Sequence, residues 1–201
     1  MKKQVFVVHG GDTFATYDEY LSFLKNWQID FERYREGKSD WKRNIASALG
    51  ADYEVIFPEM PNKRNAKYIE WKIWFEKFIP HLDPQIILVG HSLGGTFLAK
   101  YLSENTLPKF ISATFLVAAC YDDKDSDYSL ADFALPENLA NFEKQSAKIF
   151  LYHSNDDFVV PFADLGKYQK VLPKATSRIF ADRGHFNQET FPELIGDILT
   201  I

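Results

Sequence analysis

The stretch Ile86-Ile87-Leu88-Val89-Gly90-His91-Ser92-Leu93-Gly94-Gly95 restricts what this chain can fold into more than any other. It opens with a short continuous apolar run, the pattern of a strand buried on both faces in a parallel sheet. The run ends in Gly90-His91-Ser92-Leu93-Gly94, a match to G-x-S-x-G, and Thr96 to Leu102 then carries apolar residues at helical spacing. Strand, sharp turn and helix with a serine at the turn is the arrangement of a nucleophile elbow. In an elbow the serine sits on a strained backbone, and strand and helix pass closely, so its neighbours must be small. Gly90, Gly94 and Gly95 supply that room. An ordinary Gly-rich turn with an incidental serine would show the same motif, so the other polar residues decide.

Further apolar runs alternate with helical patterns along the chain. Val5 to Val8, Tyr53 to Pro58, Thr114 to Cys120, Lys148 to His153 and Ser177 to Phe180 read as strands beside the elbow strand. Trp41 to Leu49 reads as a helix with Ser39 or Asp40 as N-cap and Gly50 as its stop. Tyr68 to Ile79, a short segment from Pro136 to Lys144, Ala163 to Leu172 and Phe191 to Ile201 read as further helices. This rhythm predicts an α/β fold: one doubly wound, mostly parallel sheet of about six strands with helices on both faces. At 201 residues the chain suits one domain over 1–201 with a single sizeable core. The segment 13–38 is extra to a minimal strand–helix–strand unit. Its Tyr17, Tyr20, Leu21, Phe23 and Leu24 recur at helical spacing, and it leaves from the first strand's end, so it is expected either to pack at the edge or to cap a site there. As a cap, its aromatic residues predict an apolar acyl pocket.

In doubly wound sheets ligands bind beyond the carboxyl ends of the strands. His9, Ser92, Asp157 and His185 all fall just after strand ends and are therefore expected on one edge. Serine is a weak nucleophile until a base accepts its proton, and His185 is the candidate base. Asp157 is the candidate partner that fixes the imidazole tautomer, with Asp156, Asp122 and Asp123 as rivals. The backbone N–H groups of Leu93 and Gly11 are the candidate oxyanion donors. His9 and His91 are expected to support loops, and His153 to stand behind the acid residue.

The order Ser, Asp, His, each after its own strand, resembles the α/β-hydrolase superfamily over nearly the whole chain. Gly90-His91-Ser92-Leu93-Gly94-Gly95 is similar to that superfamily's elbow, Asp157-Phe158-Val159-Val160-Pro161 to its acid loop, and Gly184-His185 to its late Gly-His. Size, the Asn155-Asp156-Asp157 loop and Gly184-His185-Phe186 most resemble the compact group of YdeN and retinoblastoma-binding protein nine. The 13–38 segment departs from the compact pattern, so pocket shape and substrate do not carry over.

The expected activity is cleavage of a small ester, thioester or amide through an acyl-enzyme, with a small-molecule acyl substrate and no cofactor. An acyltransferase using the same residues and a non-catalytic binding protein are the alternatives. Other classes find little support. Net charge is −5 with dispersed basic residues, which favours neither nucleic acid nor an anionic membrane. The one cysteine, Cys120, excludes an intrachain disulfide and a Cys-based metal site. The acidic loop from Asp123 has the alternation of a calcium loop, but Tyr128 stands where the glycine belongs and Ala134 where the glutamate belongs. His9-Gly10-Gly11 lacks dinucleotide spacing. The basic start precedes too short an apolar run for a signal peptide, so a cytoplasmic location is expected.

Overall fold

The computed structural model describes residues 2–37, 39–124 and 128–201. Six strands form one parallel sheet in the order β2-β1-β3-β4-β5-β6. These are β1 (Lys3–Val8), β2 (Tyr53–Ile56), β3 (Gln85–His91), β4 (Phe110–Val117), β5 (Ile149–Ser154) and β6 (Thr176–Phe180). Side chains alternate across a strand, so the apolar run of β1 feeds two cores at once. Phe6 and Val8 join one core with Trp71, Phe75 and Phe97, while Val5 and Val7 join the other with Trp41, Ile45 and Ile198. The first core is covered by α4 (Tyr68–Phe78), α5 (Leu93–Glu104), α6 (Ala140–Gln145) and α7 (Ala163–Val171). The second lies beneath α3 (Trp41–Leu49) and α8 (Pro192–Leu199).

Strand β1 pairs with β2 on one side and β3 on the other. The chain leaves β1 over one face through α3 and returns to β3 over the opposite face through α4. That reversal opens a crevice at the carboxyl ends of β1 and β3, where ligands bind in sheets of this kind. The loops 9–13 and 91–93 both emerge there.

Strand β4 departs furthest from the sequence expectation of Thr114 to Cys120, the other strands by one or two residues at an end. Strand β4 starts at Phe110 and ends at Val117, where Ala118 takes a φ of 47° and turns the chain out of the sheet. Its early part is interrupted by Ser112, which is buried and accepts a hydrogen bond from Gln85 Nε2 at 2.8 Å. The 13–38 segment contains α1 (Tyr17–Asn26) and α2 (Phe31–Glu36). Thr16 caps α1 through a reciprocal capping box with Glu19. No residue of α1 is buried; its rings pack instead against one another and Phe14, as in Phe14–Phe23 and Phe23–Trp27. Of the acidic loop, Asp125, Ser126 and Asp127 lie outside the described residues. Among the described residues no helix is long and apolar enough to cross a membrane.

Candidate active site

Ser92 sits between β3 and α5 with φ 54° and ψ −128°, a conformation that strains any residue other than glycine. Its neighbours make the turn possible. A Cβ on Gly90 would lie 2.6 Å from Gly95 Cα, and one on Gly95 would lie 2.7 Å from Ala119 Cβ. A Cβ on Gly94 would stand 2.5 Å from the His9 carbonyl oxygen and closer still to that of Val8. All three glycines therefore supply the close approach expected of them.

Asp157 is the candidate carboxylate that meets the His185 ring. His185 Nδ1 lies 2.9 Å from Asp157 Oδ2 and 3.1 Å from Oδ1. The Asp157 carboxylate is fully buried, and its Oδ1 also accepts the backbone N–H groups of Val159 and Val160 at 2.8 and 3.0 Å. Those two N–H groups belong to the Val-Val-Pro turn, which explains why the register against Val160-Pro161 selects Asp157. Asp156 faces the other way: its Oδ1 accepts Ser154 Oγ–H at 2.5 Å and Gly184 N–H at 2.9 Å. These hydrogen bonds, Ser154 first, hold its carboxyl below the usual range. Asp122 pairs with Lys167 at 2.8 Å, and Asp123 accepts the Leu130 N–H at 2.9 Å. Neither rival is bonded to the histidine.

The His185 loop is itself strained at Phe186, whose φ is 52°, while Gly184 takes its φ of 50° freely. Two buried side chains hold it. Trp41 Nε1–H donates to the Phe186 carbonyl at 2.8 Å, and His91 Nε2–H donates to the His185 carbonyl at 2.8 Å. Burial pushes the His91 imidazole well below its ordinary value, and the charge of Lys42 adds to that. The His91 ring is therefore neutral and serves as a fixed donor. His9 plays the same part for the opposite loop. Its Nδ1–H donates to the Gly10 carbonyl at 2.6 Å while Nε2 accepts the Met60 N–H at 2.7 Å, a pair of bonds that only the neutral ring can make. His153 Nε2–H donates to the Val160 carbonyl at 3.1 Å and stands 4.0 Å from Asp157 Oδ2, behind that carboxylate. Both His9 and His153 are pushed below the ordinary value, chiefly by burial.

Leu93 N–H opens α5 and is taken by no acceptor among the described residues. The Gly10 and Gly11 N–H groups are likewise untaken. Gly10 lies against the serine, since a Cβ there would stand 2.9 Å from Ser92 Cβ; Gly11 follows, against the Lys63 carbonyl and Leu93. No hydrogen bond joins the Ser92 hydroxyl to the His185 ring among the described residues. Both groups open into one cavity of about 630 Å³, which Gly10, Gly11 and His9 also line.

The cavity is not the apolar pocket that the aromatic residues of 13–38 predict. Among that segment's described residues only Trp27 lines it, with Arg64 stacked 4.8 Å from its ring centroid. Phe57 and Pro58 add some apolar wall, but Asp12, Asp40, Lys42, Arg43, Glu59, Lys63 and Arg64 also line it. Sequence reasoning missed these charges, together with the Trp41 clamp. Five of them fall in connectors, where they resemble ordinary solvated loops, and Lys42 and Arg43 on the first turn of α3, where charge carries no signal of a site. A larger cavity of about 770 Å³ lies across the 59–65 loop and contains none of Ser92, Asp157 and His185. Among the described residues no cluster of His, Cys, Asp and Glu has the makings of a metal site.

Known proteins share this architecture. The solved structure of the ydeN gene product from B. subtilis superposes with a TM-score of 0.71 at 19% identity, covering 99% of this chain and 97% of that one. The thioesterase domain from the curacin biosynthetic pathway gives 0.66 at 13% identity, covering 100% of this chain and 92% of that one. The 2-hydroxy-6-oxo-6-phenylhexa-2,4-dienoate hydrolase from Rhodococcus sp. strain RHA1 gives 0.65 at 13%, over 99% and 89%. In sequence, the serine hydrolase RBBP9 of Rattus norvegicus is 26% identical over 147 residues, 71% of this chain and 75% of that protein. The family model described as serine hydrolase matches residues 34–191, well over half of the chain and inclusive of Ser92, Asp157 and His185. The fold, the strained elbow serine and this match agree: the chain is an enzyme of the serine hydrolase family, built on the α/β-hydrolase fold.

Proposed function

We propose that this enzyme cleaves a small ester, thioester or amide through an acyl-enzyme on Ser92, with His185 and Asp157 completing a triad. The observation that carries the reading is the Asp157–His185 contact beside the cavity into which the strained Ser92 opens. With its Nδ1–H held on Asp157, His185 keeps Nε2 as the acceptor for the serine proton. Asp157, buried and fixed by two backbone N–H groups, then stabilises the imidazolium that forms. The tetrahedral oxyanion is received by the Leu93 and Gly11 N–H groups, which no acceptor among the described residues takes. His185 returns its proton to the leaving group, and a water attacks the acyl-enzyme by the same route in reverse. The serine and the ring draw together when substrate fills the cavity, as catalytic hydrogen bonds often do. In this reading Trp27 is the contribution of the 13–38 segment as a cap.

The test is labelling with a fluorophosphonate probe, run beside hydrolysis of p-nitrophenyl esters of increasing acyl length. Wild type should label and turn over, and Ser92→Ala should do neither. Labelling that persists in Ser92→Ala would overturn the assignment. Product that forms only when an alcohol or thiol acceptor is added would make the enzyme an acyltransferase with the same residues.

A further inference from the structure

Seven acidic or basic side chains line the cavity over Ser92 among the described residues, and six of them are paired. Lys42 Nζ lies 2.8 Å from Asp40, Lys63 Nζ 2.6 Å from Glu59, and Arg64 Nη1 2.9 Å from Asp12. Arg43 is the seventh. It is exposed on the first turn of α3, and among the described residues its guanidinium makes no ion pair or hydrogen bond. Cations therefore outnumber carboxylates in the lining, within a chain whose net charge is −5. The excess positive charge is felt in the site. Lys42 lowers both His9 and His91, and Arg43 adds to the pull of Lys63 that holds the Glu59 carboxyl low. A concave wall with one sign in excess focuses its field on whatever enters.

We propose that Arg43 receives a carboxylate on the substrate, so that the preferred substrates are acyl compounds carrying an acid group away from the scissile carbonyl. A guanidinium offers two parallel N–H donors that match a carboxylate. The three carboxylates in the lining are already taken by Lys42, Lys63 and Arg64, which leaves one cation, matched in charge by a single carboxylate. The proposal names the substrate class for the Ser92 site and rests on the nucleophile assignment above.

Two ester pairs test it. Mono-p-nitrophenyl glutarate carries the charge on the acyl side and 4-acetoxybenzoate on the leaving group; each is compared with its methyl ester. For at least one pair, the charged-to-neutral ratio of kcat/KM should fall about fivefold to tenfold in Arg43→Ala and further in Arg43→Glu. High salt should narrow the wild-type preference. A ratio that is the same in wild type and both variants for both pairs overturns the proposal. Fluorophosphonate labelling separates this from failure of the nucleophile reading, since an unlabelled Ser92 sinks that reading first. Where Ser92 labels but none of the four esters is cleaved, the same ratios are read from how well each ester protects Ser92 from the probe.

Discussion

Acidification from about pH 7.5 to about 5.5 should remove a large part of this enzyme's stability, because His9, His91 and His153 are buried as neutral rings. They are 8%, 4% and 2% exposed, and burial is the main cause that pushes each below its ordinary value. The unfolded chain, whose histidines titrate near 6.5, then binds more protons than the native one as pH falls. Stability is therefore fully present above that value and declines below it. Each ring that stays neutral in the native state costs at most about 1.4 kcal/mol per pH unit below the unfolded pKa. Three such rings give an upper limit of about 4 kcal/mol at pH 5.5, or a fall in Tm of roughly 10 °C for a chain of this length. The carboxylates held low, Asp156, Asp197 and Glu59, add their losses only at more acid pH. Asp164, which burial raises, works in the opposite direction. Calorimetric Tm values across this range measure the effect. His91→Gln keeps a donor for the His185 carbonyl but cannot titrate, so its Tm should fall by about a third less than that of the wild type. A Tm that is flat across the range, or one that falls more steeply in His91→Gln, would refute the argument.

Two further outcomes are expected. Asp157→Asn should lower kcat for p-nitrophenyl acetate on the order of a thousandfold or more, because an amide N–H facing His185 Nδ1 favours the tautomer that lacks a base toward Ser92; unchanged kcat would remove Asp157 from the triad. The helix glycines should respond with opposite signs. Gly94→Ala drives a Cβ into the Val8 and His9 carbonyls and should cost at least about 2 kcal/mol, whereas Gly166→Ala in α7 meets open space and should gain roughly 0.5–1 kcal/mol, both read as Tm.

The fold was legible because strands buried on both faces must be apolar at every position, and such runs stand out without any pairing information. Their order in the sheet follows from pairings that runs do not encode. The start of β4 was hidden for a physical reason: Ser112 interrupts the run, and its burial is tolerated only because Gln85 from the neighbouring strand satisfies its hydroxyl. That Ser92, Asp157 and His185 share one edge was legible because each follows its own strand. Choosing Asp157 over Asp156 depended on the Val-Val-Pro turn, whose two N–H groups bind that carboxylate. The Trp41 clamp on Phe186 joins positions 145 apart in the chain and leaves no local signal.

The 13–38 segment marks the boundary between the two kinds of inference. Helical spacing of aromatic residues establishes that a helix has an apolar face, but says nothing about which surface meets that face. Here α1 buries no residue, and Tyr17 and Phe31 remain 66% and 67% exposed. The cavity takes its charge instead from the start of α3 around positions 40–43 and from the 57–64 connector, whose charges have no periodicity to read. The sheet positions the serine, aspartate and histidine wherever this frame is built, so those residues follow from topology. The connectors and helix starts around the cavity are free to vary without disturbing it, so the charge that substrate meets there is set by them and not by the sheet.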